Sequence, residues 1–143
     1  MYFSPDGGIR DRIIRAINLT KSSIDIAIFN FTSGELAHSI VKAKERKVRI
    51  RIIVDRGKAG GERSEIDFLM NNGVAVKMLK GKGRGIMHNK FAIYDDKLVH
   101  TGSYNWIERA EKFNCENVIF IDEPEVVKKY KGEFERLWSH STQ

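Results

Sequence analysis

The chain has 143 residues, of which 41% are hydrophobic and 31% charged, so it carries enough apolar side chain for the core of one ordinary domain. A single cysteine excludes an intrachain disulfide and a cysteine-rich zinc site, and the four histidines lack metal-ligand spacing; we therefore expect no metal and no cofactor. The formal net charge of +6 favours a polyanionic partner, either nucleic acid or an anionic membrane surface. No apolar signal segment opens the chain and no apolar run approaches membrane-spanning length, so we expect a soluble protein.

Helical and strand-like segments alternate in the first half of the chain. Ser4-Pro5-Asp6 is typical of a helix start, and isoleucines recur behind it on one helical face. Strand, helix, strand, helix and strand are then predicted in turn at residues 23–31, 34–47, 48–54, 62–72 and 74–79. This alternation predicts βαβ units, and hence an α/β fold with a mixed, mostly parallel β-sheet flanked by helices.

The second half of the chain has a different pattern. After the glycine-rich basic loop KGKGRGIM, two short apolar runs at residues 91–94 and 98–101 flank the turn sequence DDK and predict a β-hairpin. A strand at 117–121 and a helix that begins near Pro124 follow. No repeat or linker divides the sequence, so we expect residues 1–143 to form a single domain that contains any catalytic apparatus.

Polar side chains precede the first strand of the predicted hairpin. Side chains two apart on a strand share a face, so His88 and Lys90 are expected to project together. Phe91 and Ile93 have the opposite parity and are expected to pack into the core. The buried strand would thus aim an imidazole and an ammonium at one spot.

Further polar groups follow the second strand of the hairpin. Gly102 permits a sharp bend, after which Ser103 and Asn105 can offer hydroxyl and amide donors beside His88. Asp95 has the other parity and falls at the turn, so we expect it to hold the turn and not to touch a substrate.

A phosphodiester is the substrate that these groups fit. Negative charge concentrates on its oxygens as a nucleophile adds, and the Lys90 ammonium with neutral donors would stabilise that charge. His88 is the candidate nucleophile, because a neutral imidazole can attack phosphorus and form a phosphohistidine that water then resolves. Glu116, at the head of the next strand, is the best-placed carboxylate to orient the imidazole.

The proposed chemistry requires a second histidine. The leaving oxygen needs a proton, and an imidazole that attacks phosphorus cannot donate a proton in the same step. The sequence pattern around His88 does not recur at His38, His100 or His140. Two chains that pair about a two-fold axis would supply the missing imidazole, so we expect a homodimer with a shared active site.

The basic loop before His88 allows two interpretations. Lys80, Lys82 and Arg84 can form a flexible grip on the phosphate backbone of a nucleic acid, or simply a solvated charged loop. A nucleotide-binding P-loop is excluded, since GxxxxGK[ST] is absent and the loop leads into a strand instead of a helix.

The spacing His88-x-Lys90, Asp95, Gly102-Ser103, Asn105 resembles the HKD motif of the phospholipase D superfamily. The segments SIDIAIFNFTS, VRIRIIVD and NCENVIFI extend the resemblance to its short single-motif branch. The resemblance implies a homodimer that needs no metal. In it His88 would act as nucleophile or acid, and Glu116 would orient the histidine. The phosphate would be bound by Lys90, Ser103 and Asn105, and Asp95 would have a structural role. The resemblance favours an endonuclease acting on DNA or RNA. A phospholipid hydrolase, acting on phosphatidylcholine or cardiolipin, and a nucleic-acid-binding module without turnover stay open as alternatives.

Overall fold

The computed structural model describes residues 1–143 and contains a seven-stranded sheet in the order β1-β7-β6-β5-β2-β3-β4. The strands are β1 Tyr2–Ser4, β2 Ser23–Ile28, β3 Arg49–Asp55, β4 Ala75–Leu79, β5 Lys90–Tyr94, β6 Leu98–Gly102 and β7 Glu116–Ile121. The α/β class and the mixed sheet are confirmed, but the expectation of mostly parallel pairing is wrong. Only β2–β3 and β3–β4 are parallel, because the hairpin and the strand after it form an antiparallel meander beside β2.

Helices cover both faces of the sheet. They are α1 Ile9–Leu19, α2 Gly34–Glu45, α3 Arg56–Ala59, α4 Ile66–Asn71, α5 Glu108–Lys112 and α6 Pro124–His140. The larger buried cluster lies between the sheet and α1, α2 and α4, while the smaller one lies under α6. None of the helices combines the length and the apolar character that crossing a membrane requires.

The start of the chain differs from the prediction. Tyr2–Ser4 is an edge strand that pairs with β7, and α1 begins only at Ile9, after Gly8 with a φ of 76°. Three residues are too few to show a periodicity, and this strand exists because β7 offers an unpaired edge. In the predicted helix 62–72 only Ile66–Asn71 is helical, and no pattern in the sequence indicated the short helices α3 and α5.

Strand direction brings the polar segments to one end of the sheet, here called the site end. The strands β5 and β7 run antiparallel to their neighbours, so their first residues meet the last residues of β2 and β6. In the register, Lys90 lies opposite Ile28, and Gly102 opposite Val118. Ligands of open α/β sheets commonly bind outside the carboxyl ends of the parallel strands, and β2, β3 and β4 all end here.

Candidate active site

His88 and Lys90 are in direct contact at the site end. His88 lies exposed in the loop before β5, and Nζ of Lys90, the first residue of that strand, is 2.9 Å from Nε2 of His88. An ammonium has no lone pair, so it donates and Nε2 accepts, which leaves Nε2 as the unprotonated nitrogen of a neutral imidazole. Burial lowers the pKa of Lys90, and the negative charge of Glu116 opposes part of that shift. The pair therefore holds a nucleophilic nitrogen beside a cation.

The strand behind this pair is apolar on both faces. Phe91 and Ile93 pack in the cluster under α6, as their parity predicts. Ala92 and Tyr94, which continue the face of Lys90, are also buried, in the larger cluster. The polar groups are thus confined to the end of a strand that is fixed from both sides.

Asp55, the last residue of β3, holds the loop that carries His88. Its Oδ1 accepts a hydrogen bond from N of Met87 at 3.0 Å, and its Oδ2 accepts one from N of Gly57, also at 3.0 Å. Asp55 and Met87 are each only 3% exposed, so water does not compete for this bond. No motif in the sequence singled out Asp55, and its only signal there is that a carboxylate directly follows a buried strand.

Phe29, which follows β2, packs against the imidazole. The ring centroids of Phe29 and His88 are 4.8 Å apart in an edge-on arrangement, and N of Phe29 donates to the carbonyl oxygen of Asn89 at 3.0 Å. Nζ of Lys90 lies 5.3 Å from the same ring. Phe29 therefore limits where both side chains can move, and nothing in the sequence distinguished it from a core aromatic.

Gly102 and Ser103 join β6 to β7 by a close backbone approach. N of Ser103 donates to the carbonyl oxygen of Asn117 at 3.0 Å, and N of Asn117 donates to Oγ of Ser103 at 3.1 Å. A Cβ at Gly102 would lie 2.0 Å from the Asn117 carbonyl oxygen, so only glycine fits. The hydroxyl of Ser103 keeps its own proton available for a substrate oxygen.

Asn105 fastens the segment after β6 to the segment after β2. Its Oδ1 accepts a hydrogen bond from N of Asn30 at 3.2 Å, and N of Trp106 donates to the carbonyl oxygen of Asn30 at 3.2 Å. With the oxygen occupied, the amide nitrogen of Asn105 stays available as a donor. That Ser103 and Asn105 donate to a phosphate stays a prediction.

Glu116 does not contact His88 within one chain. Its Oε2 accepts a hydrogen bond from Nδ2 of Asn114 at 3.2 Å, while Nδ1 of His88 makes no hydrogen bond. Its charge does act on Lys90, which places Glu116 at the edge of the same site. Its role in orienting the histidine stays a prediction.

Asp95 lies at the hairpin turn, at the opposite end of β5 from Lys90. Its carboxylate accepts hydrogen bonds of 2.6 to 3.1 Å from the backbone N–H groups of Lys21, Ser22 and Ser23, the segment that leads into β2. Burial acts to raise the pKa of Asp95, but these donors outweigh it, so the pKa lies below its usual value. Asp95 thus fastens the hairpin to the central strand.

We expect Asp95→Asn to lower the free energy of unfolding by about 1 kcal/mol at pH 7, because charged acceptors make the stronger hydrogen bonds. A depressed pKa contributes stability above the unfolded-state value near 4, and this contribution is lost as the pH falls through the folded-state pKa. The stability difference between parent and variant in urea unfolding should therefore shrink as the pH falls through the folded-state pKa of Asp95. Asp6→Asn is the matched control, since Asp6 also has a positive φ but makes no side-chain hydrogen bond. A difference that is equal at pH 3 and pH 7 would contradict the assignment.

A polar cleft of about 630 Å³ lies beside His88, between the end of β4 and α6. Lys80 and Lys82 of the basic loop line this cleft, whereas Arg84 does not. Arg136 also lines it but is paired with Glu133 at 2.6 Å. The structure therefore brings two of the three loop cations to the candidate nucleophile.

The other histidines differ in their access to the site. His100 is 1% exposed, and burial lowers its pKa to about 3, with the positive charge of Arg12 acting in the same direction. His38 lies exposed on α2 and does not line the His88 cleft. His140 lines the cleft of His88, and its Nδ1 lies 2.7 Å from the Arg136 carbonyl oxygen, a placement that its position in the tail did not indicate. No three His, Cys, Asp or Glu side chains lie close enough together to hold a metal ion.

A match to a known protein family identifies the superfamily of this chain. A family model described as a cardiolipin synthase, PLD-like domain matches residues 13–138, which include every residue of the His88 motif. The chain belongs to the phospholipase D superfamily. The expected membership of this superfamily is thereby confirmed.

Relatives and solved structures of this superfamily resemble the chain over most of its length. Mitochondrial cardiolipin hydrolase from Xenopus laevis is 40% identical over 81% of this chain and 54% of its own. NucT from Helicobacter pylori has a TM-score of 0.89 at 30% identity, with 93% of this chain and 89% of NucT covered. Nuc, a phospholipase D family member from Salmonella typhimurium, has a TM-score of 0.90 at 28% identity, with 98% and 93% covered. The chain spans about half the length of the curated relatives it matches.

Proposed function

We propose that this protein is a metal-independent phosphodiesterase that cleaves nucleic acid as an endonuclease, with an active site shared by two copies of the chain. The contact between Nζ of Lys90 and Nε2 of His88 is the observation that carries the proposal. It combines an imidazole nitrogen that accepts a hydrogen bond with a cation, and the hydroxyl of Ser103 and the amide of Asn105 add neutral donors. A phosphodiester needs a nucleophile and such donors for its developing charge.

The reaction proceeds in two steps. The Lys90 ammonium exchanges its hydrogen bond to Nε2 for one to a phosphate oxygen. Nε2 of His88 then attacks phosphorus and forms the phosphorus–nitrogen bond of a phosphohistidine. The bond to the leaving oxygen breaks, and a second, protonated imidazole gives that oxygen its proton. Water then attacks phosphorus as the same imidazole, now neutral, takes a proton from it. The phosphorus–nitrogen bond breaks, which returns both imidazoles to their starting states and releases a phosphate monoester.

A second copy of the chain provides the second imidazole in this proposal. Exposed apolar side chains lie on β1 and β7 next to Glu116, with Phe3 60% exposed and Ile119 37% exposed. They line a groove of about 470 Å³ that also contains Glu116. Apolar surface of this kind is typical of a contact between proteins. Pairing through this groove, which we call the β1–β7 groove, would bring the Glu116 carboxylate of one copy towards Nδ1 of the other copy's His88.

The lining of the His88 cleft favours nucleic acid over lipid. Of its thirteen residues four are hydrophobic, and its charged groups are mainly cations. Such a surface suits a phosphate backbone, whereas a lipid also needs a place for its acyl chains. Cardiolipin hydrolysis is the second candidate, because relatives such as the Xenopus laevis protein carry that name.

The proposal is tested by incubation with labelled single- and double-stranded DNA, RNA, and vesicles of cardiolipin or phosphatidylcholine, side by side in excess EDTA. We expect nucleic acid to be cut in EDTA at the rate seen without it, since His88 and Lys90 act without a metal. Magnesium-dependent cleavage would overturn the two-histidine mechanism. Release of phosphatidic acid from the vesicles, with intact nucleic acid, would assign the protein to the lipid instead.

A further inference from the structure

We propose that a separate basic pocket beside the active site binds a neighbouring phosphate of the strand being cut; this rests on the proposed nuclease function. The pocket has a volume of about 340 Å³ and is formed by the segments after β2, β3 and β6. Its charged lining residues are Lys58, Arg63, Arg109 and Glu108. We call it the α5 pocket, because the last two belong to α5.

The cations of the α5 pocket are unpaired. The side chains of Lys58, Arg63 and Arg109 are exposed and form no ion pair. The carboxylate of Glu108, in contrast, is already shared between Arg10 at 2.7 Å and Lys112 at 3.1 Å. The pocket therefore has a net positive charge that no protein group neutralises, and an anion can bind there without displacing a carboxylate.

Two contacts join the α5 pocket to the active site. Nζ of Lys58 lies 5.5 Å from the centroid of the Phe29 ring, which also packs against the His88 ring at 4.8 Å. Asn30, which lines the pocket, donates its backbone N–H to Asn105 of the donor set. The Lys58 ammonium is thus one aromatic ring away from the imidazole, close enough for two phosphates of one strand to occupy both sites.

The α5 pocket and the His88 cleft lie on opposite sides of the site end. The cleft is bounded by α6, whereas the pocket is bounded by the loops after β2 and β3 and by α5. A strand that crosses His88 and Phe29 would therefore meet Lys80 and Lys82 on one side and Arg63 and Arg109 on the other. A single phosphodiester with no flanking phosphate could not use both.

The test removes two of the pocket cations in protein that cannot cut. Both variants are made in a His88→Asn background. The pocket variant combines Arg63→Gln with Arg109→Gln. The control combines Arg15→Gln with Lys47→Gln, which removes the same charge from exposed, unpaired positions elsewhere. Binding of a fluorescent single-stranded 20-mer is measured by anisotropy from 50 to 300 mM salt. We expect the pocket variant to bind about tenfold more weakly at low salt, with a slope of log K against log[salt] shallower by about 1.4.

Three outcomes separate this inference from the proposed function. Equal losses in the pocket variant and the control would overturn the α5 pocket as a phosphate site, even if the parent protein cuts nucleic acid. A loss confined to the pocket variant would support it even if the parent proved inactive, because the assay measures binding only. If the pocket variant lost binding to cardiolipin vesicles but kept its binding to the 20-mer, the inference for nucleic acid would be wrong.

Discussion

Replacing His88 by alanine should lower the rate of phosphodiester cleavage by at least about 10⁴-fold, because it removes the attacking group and no other side chain replaces it. His88 is exposed, so the free energy of unfolding should stay within about 0.5 kcal/mol of the parent value. Single-turnover cleavage of a labelled oligonucleotide and urea unfolding measure the two quantities. A variant that retains more than a hundredth of the parent rate would contradict the role of His88.

His38→Ala is the matched control for this variant. His38 is also exposed, and its Nδ1 lies 2.9 Å from the carbonyl oxygen of Gly34 on its own helix. Its removal should leave the cleavage rate within about twofold of the parent rate.

Mixing the His88→Ala protein with the parent tests whether two chains share one site. After the subunits have exchanged, an equimolar mixture contains about one quarter parent dimers if pairing is random. The activity should fall to about one quarter of that of the same total amount of parent protein, since a dimer with one His88 lacks either the nucleophile or the acid. If His140, in the cleft of the same chain, supplies the proton, the mixture should keep half the activity and His140→Ala should be inactive. The shared site would also be refuted if light scattering showed a strict monomer and that monomer were fully active.

Gly102→Ala should damage both stability and activity. The new Cβ would lie 2.0 Å from the Asn117 carbonyl oxygen, a backbone atom that can move only if β7 moves. We expect a loss of about 3 kcal/mol in the free energy of unfolding, at the upper end of overpacking effects. Because Ser103 is bonded to Asn117, the displacement should also lower kcat/KM by at least about tenfold, since small misplacements of catalytic groups are costly.

Gly132→Ala is the control for the added methyl group. A Cβ at Gly132, inside α6, would meet nothing within 4 Å. This variant should be more stable than the parent by about 0.5 to 1 kcal/mol, as is usual when alanine replaces glycine in a helix. Equal unfolding midpoints for the two glycine variants would show that the strands β6 and β7 adjust without strain.

The sequence alone predicted two local features of the candidate active site. The spacing of His88 and Lys90 predicted that they project together, and they are in contact. The turn position of Asp95 predicted a structural place for it, and its carboxylate holds the segment before β2. The positions of these residues could be predicted because they belong to one hairpin, whose strand repeat and short turn act locally. The bonds from Asp95 to Lys21, Ser22 and Ser23 could not be predicted, because they join segments far apart in the chain.

Only the tertiary structure decided which distant residues surround that centre. Asp55, Phe29 and the α5 pocket come from segments far apart along the chain, and they meet because antiparallel β5 and β7 start where β2 and β6 end. The edge strand β1 and the antiparallel majority of the sheet were missed for the same reason. Pairing between strands depends on long-range packing and on which edges stay open, and no periodicity within a single segment carries that information.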